Sequence, residues 1–281
     1  MKKKGLLVLF LFISPFVLKA QDIEVTRISD DVIVLHPREV DNMTIVRKVG
    51  GNMTAVRTDS GIVVIDSFTS LQAGRNARSL IQEHFPDVPI RYLINTHHHS
   101  DHVRGNQSFQ DACLIAHVNL TEHVSPPPAI QITSDAILKP NNKTFEILYF
   151  GTAHTNNDIV VLDREDRVLI MGDLLCYRKC YIMDTESDAE NWIVLLEKLI
   201  DRRNEYEYVI PGHGGVVVNV EALIEQRDYL KDICNAVNNA RHRNLSLGQA
   251  KKDIRLEQYK KYINYDRIGL DIEAFWKQTE K

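Results

Sequence analysis

Hydrophobic and polar positions alternate over short distances between residues 23 and 65, which is the pattern of β-strands. Runs rich in β-branched residues occur at 33–35, 44–46, 54–56 and 62–65. They are separated by Gly50-Gly51-Asn52 and Asp59-Ser60-Gly61, whose residue types favour tight turns. Residues 23–65 are therefore predicted to form an antiparallel meander.

A helix and a buried strand are predicted next. Apolar residues in 71–85 recur at helical spacing, and Pro86 and Pro89 prevent the helix from continuing. The pattern of a short buried strand at 90–95 leads directly into a cluster of histidines, so the cluster is predicted at the C-terminal end of a strand. Residues 121–143 contain three consecutive prolines, and we predict a long loop there with little regular structure.

The second half of the chain repeats the alternation of strands and helices. A helix is predicted at 188–203, and strands are predicted at 145–150, 158–163, 167–171 and 206–210. Ser187 and Glu190 have the spacing of a capping box at the start of this helix. Amphipathic segments from about residue 219 predict additional C-terminal helices. The pattern predicts an α/β domain over 21–281, built as an αββα sandwich.

The first 20 residues have the features of a secretory signal peptide. Three lysines precede an apolar run from Leu6 to Leu18, and the small residue Ala20 precedes Gln21. The apolar run is shorter than the roughly 20 residues that span a bilayer, so we expect cleavage after Ala20 rather than a membrane anchor. The mature protein is expected in the periplasm or outside the cell, without stable insertion in a membrane.

Composition narrows the classes of function for the mature chain. Removal of residues 1–20 takes away four lysines and leaves 30 basic and 38 acidic residues, a net charge near −8. Such an acidic chain disfavours nonspecific binding of nucleic acid. The four cysteines are too few for a disulfide scaffold, and we expect buried thiols or a single bridge. The oligomeric state is left open by the sequence.

Histidines and one aspartate crowd the residues 97–102. Alternate side chains of an extended segment project to the same side, so His97 and His99 can bind one ion while His98 points away. Asp101 and His102 follow at once and can reach a second ion. Packing alone does not explain such a cluster in a loop.

Three later residues share one setting, just beyond a predicted strand and close to glycine. These residues are His154, Asp173 and His213. The ends of strands gather residues from distant positions of a chain into one place. The sequence therefore predicts a metal centre to which both halves contribute. The remaining histidines outside the cluster are expected at the surface or in the core.

The order of these motifs resembles the metallo-β-lactamase superfamily, over about residues 25–220. The resemblance implies a first metal ion held by His97, His99 and His154. It also implies a second ion held by Asp101, His102 and His213. Asp173 would bridge the two ions.

Imidazole and carboxylate ligands without a thiolate suit zinc, although they also admit iron or manganese. We expect two Zn²⁺ ions. Together they would lower the pKa of a shared water toward about 7 and so supply a hydroxide nucleophile at neutral pH. Asp101 is the expected catalytic residue, which orients the hydroxide and handles the proton. Asp66 and Thr96 match positions that the family often uses behind the ligands, where they would fix the histidine tautomers.

Two departures from the β-lactamases bear on the substrate. Their second zinc site typically has a cysteine or serine where this chain has Asp173. An aspartate at this position resembles the glyoxalase II, lactonase and general hydrolase branches. The lysine that grips the drug's carboxylate in many lactamases falls at Cys176, so Arg178 or Lys179 would have to replace it. We expect an exported hydrolase of an ester, lactone, thioester or related acyl bond in a small molecule.

Three alternatives stay open. They are a β-lactamase, an iron-dependent persulfide dioxygenase, and a metal-binding domain without turnover. Residues that select the substrate are expected in loops around the metals, namely 37–50, 124–143 and 175–187 with Tyr177, Arg178 and Tyr181.

Overall fold

Two β-sheets lie face to face in the computed structural model, which describes residues 20–279. Within these residues the first sheet has seven strands in chain order: β1 (Ile23–Arg27), β2 (Val32–Pro37), β3 (Met53–Thr58), β4 (Gly61–Ile65), β5 (Ile90–Ile94), β6 (Cys113–His117) and β7 (Ile130–Ile132). Strands β1 to β4 are antiparallel neighbours, whereas β4 to β7 run parallel. Because β4 and β5 are parallel, the residues that follow them leave the sheet at the same edge.

The second sheet consists of five strands in the described residues. They are β8 (Ala136–Leu138), β9 (Phe145–Tyr149), β10 (Ile159–Asp163), β11 (Val168–Ile170) and β12 (Tyr208–Ile210), with β12 and β8 at the edges. Strands β8 to β11 are antiparallel neighbours, and β11 and β12 run parallel. The segments after β11 and β12 therefore also emerge side by side.

Helices cover the outer face of each sheet. The α-helices of residues 20–279 are α1 (Met43–Val49), α2 (Leu71–His84), α3 (Ser100–Val103), α4 (Ala189–Asp201), α5 (Val220–His242), α6 (Leu247–Asp253) and α7 (Ile268–Gln278). Helices α1 and α2 pack on the first sheet, and α4, α5 and α7 pack on the second. A third apolar layer lies between the sheets. The predicted αββα sandwich is confirmed.

Alternation along the strands explains these layers. In β2, Val32 and Val34 face the space between the sheets, whereas Ile33 and Leu35 face α1 and α2. All four side chains are fully buried. At about 25 cal/mol per Å² of apolar surface, strands buried on both faces contribute strongly to stability.

The predicted strand at 44–46 is wrong, because these residues lie in α1. The side chain of Asn42 accepts a hydrogen bond from the backbone N–H of Thr44 and so caps the start of a helix. Ile45, Val46 and Val49 then form one buried face at helical spacing.

Two further local predictions need correction. The segment 121–143 is not without regular structure, since it contains the short edge strands β7 and β8. The helix α4 is capped by Asp188 rather than Ser187, and the Asp188 side chain accepts from the backbone N–H of Asn191. The Ser187 hydroxyl donates instead to the backbone carbonyl of His154.

The described residues cover little of the sequence on which the export prediction depends. The predicted signal peptide, residues 1–20, lies outside the described residues except for Ala20. Within 20–279, no helix has both the length and the apolar character needed to cross a membrane.

The thiols of Cys113, Cys176, Cys180 and Cys234 are all free.

Candidate metal centre

The structure brings all seven predicted ligands together at one edge of the sandwich. The stretch after β5 carries His97 and His99, and the single turn of α3 carries Asp101 and His102. The other three ligands follow β9, β11 and β12 respectively, and they are His154, Asp173 and His213. Parallel pairing within each sheet explains why residues so distant in sequence meet here.

The ligands form two groups, and within each group the ligand atoms lie within 4.8 Å of one another. One group consists of His97, His99, His154 and Asp173, and the other of Asp101, His102 and His213. Asp173 connects the two, because its Oδ1 lies 3.1 Å from Nε2 of His102 and its Oδ2 lies 3.7 Å from Nε2 of His154. This arrangement suits a carboxylate that bridges two cations.

Three buried ligand atoms lack a hydrogen bond of good geometry among the described residues. They are Nε2 of His97, Nε2 of His102 and Oδ1 of Asp173, and the last two face each other at 3.1 Å. Buried polar atoms without a partner are costly in a folded protein, and metal coordination satisfies them. The donor set and these atoms therefore fit divalent metal ions, as the sequence predicted.

Hydrogen bonds behind the ligands leave the Nε2 atoms of His97 and His102 available for metal. Nδ1 of His102 lies 2.8 Å from Oδ2 of Asp66, and Nδ1 of His97 lies 3.0 Å from Oγ1 of Thr96. The Thr96 hydroxyl donates to Asp66 Oδ2, so it accepts from Nδ1–H of His97. Both predicted supporting residues thus occupy the expected place behind the ligands.

His154 is oriented by backbone groups. Its Nδ1 donates to the carbonyl of Ile182 at 2.9 Å, and its Nε2 faces Nδ1 of His99 at 3.0 Å. Nothing in the sequence marks Ile182, because a carbonyl is present at every residue. Only the tertiary structure reveals this partner.

Charges in the centre favour the metal-binding forms of most ligands. Burial alone would raise the pKa of Asp101 and Asp173, but the neighbouring histidines His213 and His102 hold both below the ordinary range. Burial and the charge of His102 lower the pKa of His97. Burial would also lower the pKa of His102, yet the carboxylates of Asp173 and Asp66 raise it. A metal ion on His102 therefore replaces a proton.

Two glycines allow the close approach of these ligands. A Cβ on Gly212 would overlap Oδ1 of Asp173, and a Cβ on Gly51 would lie 2.7 Å from Nε2 of His102. Any larger residue at either position would displace a ligand atom. The glycine beside His213 in the sequence thus has a steric role in the centre.

His98 belongs to neither of these two ligand groups, although its ring centroid lies 4.9 Å from that of His99 and it forms a third cluster with His99 and Glu186. Its Nδ1 lies 2.8 Å from Nδ2 of Asn157, and its ring stacks on that of His123 with centroids 4.0 Å apart. Its Nε2 lies 3.7 Å from Oε1 of Glu186. Burial, followed by the charges of His99 and His123, lowers the pKa of His98 to about 4.

A cavity of about 230 Å³ opens beside the metal ligands. Besides five of the ligands, its lining includes Met43, Arg47, Lys179, residues 181–184, Asn264 and Arg267. The predicted loops 37–50 and 175–187 contribute to this lining, whereas 124–143 does not. Arg178 points elsewhere and pairs with Glu225 at 2.8 Å. Asn264 and Arg267 were not identified from the sequence, because no local pattern places the C-terminal segment here.

Comparison with known proteins supports the fold and assigns the family. The family model of the metallo-β-lactamase superfamily matches residues 46–130 and 122–213. A type 2 metallo-β-lactamase of Bacillus cereus is 23% identical over 237 residues, which cover 76% of this chain and 92% of that protein. The alpha subunit of a 2,4-dinitroanisole O-demethylase of Nocardioides is 27% identical over 169 residues, covering 57% of this chain and 51% of that protein.

Solved structures share the fold at low sequence identity. A metallo-β-lactamase from Pontibacter korlensis matches with a TM-score of 0.65 and 20% identity, over 74% of this chain and 99% of that one. A stereoselective inverting sec-alkylsulfatase from Pseudomonas matches with a TM-score of 0.73 and 15% identity, over 91% of this chain and 50% of that one. The chain spans about half the length of the demethylase subunit and of the alkylsulfatase.

An αββα sandwich with histidine and aspartate ligands at one edge defines a class of metal-dependent hydrolases. Because the family model matches more than half of its residues, the chain belongs to the metallo-β-lactamase superfamily.

Proposed function

We propose that the protein is an exported zinc-dependent hydrolase that cleaves an ester, lactone, thioester or related acyl bond in a small molecule. The main support is Asp173, a carboxylate that lies between two groups of ligands, with its Oδ1 3.1 Å from Nε2 of His102 and its Oδ2 3.7 Å from Nε2 of His154. The ligand set has nitrogen and oxygen donors and no thiolate, which suits zinc. The support for export is the sequence of residues 1–20 alone.

When bound, two divalent ions would lower the pKa of a water between them and polarise the carbonyl oxygen of a substrate. Asp101 is the acid best placed to move a proton, because its side chain is 35% exposed, compared with 8% for Asp173. Its Oδ2 lies 3.1 Å from Nε2 of His213, which keeps the carboxylate ionised and orients it. Asp101 Oδ2 would accept the proton of the attacking water and pass it to the leaving group.

Cleavage of β-lactams is the second candidate. Lys179 lines the cavity, where it could replace the lysine that many lactamases use to hold the drug's carboxylate. The type 2 metallo-β-lactamase of Bacillus cereus aligns with 76% of this chain. The alkylsulfatase structure covers more of this chain, 91%, so a sulfate ester belongs in the same test.

The test is a metal analysis joined to a substrate panel. The full chain, expressed without a histidine tag, is recovered from cell fractions, its N-terminus is sequenced, and bound metal is quantified. The same sample is assayed on an aryl ester, a lactone, a thioester, a chromogenic cephalosporin and an alkyl sulfate. We expect an exported protein with two zinc ions that hydrolyses an acyl substrate, loses activity to a chelator and regains it with zinc.

Other outcomes would overturn parts of the proposal. One iron per chain without hydrolysis would favour a dioxygenase, and absence of metal would reject the site. Turnover of the cephalosporin or the sulfate ester alone would move the assignment to that substrate.

A further inference from the structure

Three cationic side chains line the cavity beside the metal ligands. Arg47 comes from α1, Lys179 from the loop after β11, and Arg267 from the turn before α7. Among residues 20–279, none of the three side chains makes an ion pair within 4.0 Å or a side-chain hydrogen bond. Some surface arginines of the described residues are paired, such as Arg57 with Asp31 at 2.6 Å, whereas others, such as Arg75 and Arg104, are not. What distinguishes Arg47, Lys179 and Arg267 is that the three unpaired cations share one cavity beside the metal ligands.

Contacts in the structure hold the guanidinium of Arg267 and the backbone of Lys179. The guanidinium of Arg267 lies 3.9 Å from the ring centroid of Tyr181, which orients its plane and leaves its N–H groups free. The backbone of Lys179 pairs with Ile263, and the N–H of Cys180 donates to the carbonyl of Ile263 at 2.8 Å. Docking of the C-terminal segment therefore places Lys179 and Arg267 on the same wall.

The balance of charge in the cavity depends on the metals. The acids in its lining are Asp101, Asp173 and Asp184. Asp101 and Asp173 belong to the ligand groups, so metal ions would neutralise them. Asp184 alone remains against three cations, and it lies 3.8 Å from Nε2 of His99. The loaded cavity thus keeps a positive wall in a chain whose net charge is negative.

We propose that Arg47, Lys179 and Arg267 form a binding subsite for a carboxylate that the substrate carries away from its scissile bond. This inference rests on the proposed hydrolase function and specifies its substrate class. A planar guanidinium suits the two oxygens of a carboxylate, and the ammonium of Lys179 adds a point charge. A neutral acyl compound would leave these cations without a partner.

The test compares two thioesters that differ only in a terminal carboxylate or its methyl ester. Lys179→Met and Arg267→Leu should each raise KM for the carboxylate substrate about ten- to a hundredfold, the range expected for a charged hydrogen bond, with kcat nearly unchanged. Neither should change KM for the methyl ester. The control is Arg255→Leu, which removes an exposed arginine outside the cavity and should alter neither substrate.

A second readout separates this subsite from the hydrolase proposal. Binding of succinate, and of inorganic sulfate in parallel, is measured by calorimetry on wild type and on both cavity variants at equal metal content. Succinate binding that is lost in the variants would support the subsite even if no thioester is cleaved. Equal effects on both thioesters, or succinate binding unchanged in the variants, would overturn it. Binding of sulfate but not succinate would assign the subsite to sulfate instead.

A separate observation concerns Asp271, a fully buried aspartate of α7. Its carboxylate accepts hydrogen bonds from the backbone N–H groups of Tyr181, Ile182 and Met183 at 2.6, 2.8 and 2.8 Å. The hydroxyl of Tyr229 also donates to it. A carboxylate with several donors fixes the loop 181–183 firmly to the helix.

This loop in turn holds a metal ligand, because the carbonyl of Ile182 accepts from Nδ1 of His154. We infer that Asp271 is a positioning residue that acts through the loop 181–183 to orient His154. Groups bonded directly to a metal ligand typically change metal affinity by about 10- to 100-fold when they are substituted, and Asp271 acts one step behind the Ile182 carbonyl that makes this bond. Helix α7 lies beyond the residues that the family model matches, yet it supports the centre by this route.

The test measures metal affinity rather than turnover. Asp271→Asn removes one acceptor oxygen, and we expect metal held by the His154 group to weaken by up to about 10-fold in competition with a chromogenic chelator, the other group being unaffected. Glu273→Gln, on the same helix, is the matched control and should leave both affinities unchanged. Tyr229→Phe removes a different donor to Asp271, and it should lower Tm without changing metal affinity.

Parallel loss of metal in D271N and Tyr229→Phe would overturn the inference, since both would then act only through stability. Should D271N fail to fold, Asp271→Glu keeps both oxygens and displaces them by one methylene. That variant should again weaken only the His154 group. Unchanged metal affinity in a folded Asp271→Glu variant would reject the positioning role.

Discussion

Asp66 Oδ2 lies 2.8 Å from Nδ1 of His102 and accepts from the hydroxyl of Thr96 at the same distance. Its other oxygen accepts from the backbone N–H of Thr96. Asp66 thus fixes His102 and, through Thr96, His97 as well. We expect Asp66→Asn to reduce metal affinity about 10- to 100-fold, because an amide supplies only one acceptor oxygen. The measurement is a zinc titration of the metal-free protein.

Backbone strain is controlled by a matched variant. Asp66 has a positive φ of 66°, a conformation that asparagine tolerates well. Asp87 is exposed and has a φ of 61°, so Asp87→Asn makes the same change away from the ligands. An equal loss of affinity in both variants would reject the role of Asp66.

Asp101 and His98 are neighbours in sequence with opposite expected roles. Asp101→Asn should keep the fold and lose most activity, because the amide cannot accept the proton of the attacking water. His98→Ala should leave activity nearly unchanged, since His98 belongs to neither of the two ligand groups and its ring contacts Asn157 and His123. Rates on the best acyl substrate and bound metal are compared in the two variants. Equal losses in both would show that the ligands are assigned wrongly.

Periodicity predicted most of the fold because long segments show it clearly. The helix at 71–85 was confirmed as α2, whose apolar face spans almost four turns. The run 44–46 was too short to distinguish a period of 2 from one of 3.6, and the cap from Asn42 decided in favour of a helix. In this segment, the hydrogen bond that the Asn42 side chain accepts determined the structure more than the apolar pattern of residues 44–46 did.

The ligand cluster could be predicted because each ligand follows a strand, and strand ends converge at one edge. Its supporting residues Asp66 and Thr96 share that property. Arg267 does not, since it reaches the cavity only when α7 docks on the loop 181–183 through Asp271. Contacts between distant segments of this kind leave no periodic pattern in the sequence.

Gly212 tests how tightly the centre is packed. Gly212→Ala should displace Asp173, because the added Cβ would overlap Oδ1 of that side chain. We expect loss of metal from both groups and of most activity, with bound metal measured by elemental analysis. Gly248→Ala adds the same methyl group where nothing lies within 4 Å, so it should keep both metals. Full metal content in Gly212→Ala would show that the ligands can adjust.

His36 predicts a pH dependence of stability that is independent of the metal ligands. It is buried in β2, with Nε2 2.9 Å from Oγ1 of Thr26 and Nδ1 2.9 Å from the carbonyl of Pro37. Burial lowers its pKa below 6.5. Below about pH 6.5 the unfolded chain therefore binds a proton that the folded chain resists, and the free energy of unfolding falls until the pH reaches the lowered pKa.

His36→Gln removes this titration and should flatten the dependence. Between about pH 7.5 and 5.5, its urea midpoint should fall less than that of wild type, even if the variant is less stable at the higher pH. His242→Gln changes an exposed histidine of α5 and should follow the wild-type curve. If the His36→Gln curve instead ran parallel to wild type, the folded protein would bind this proton as readily as the unfolded chain, and burial of His36 would have no consequence for stability in acid.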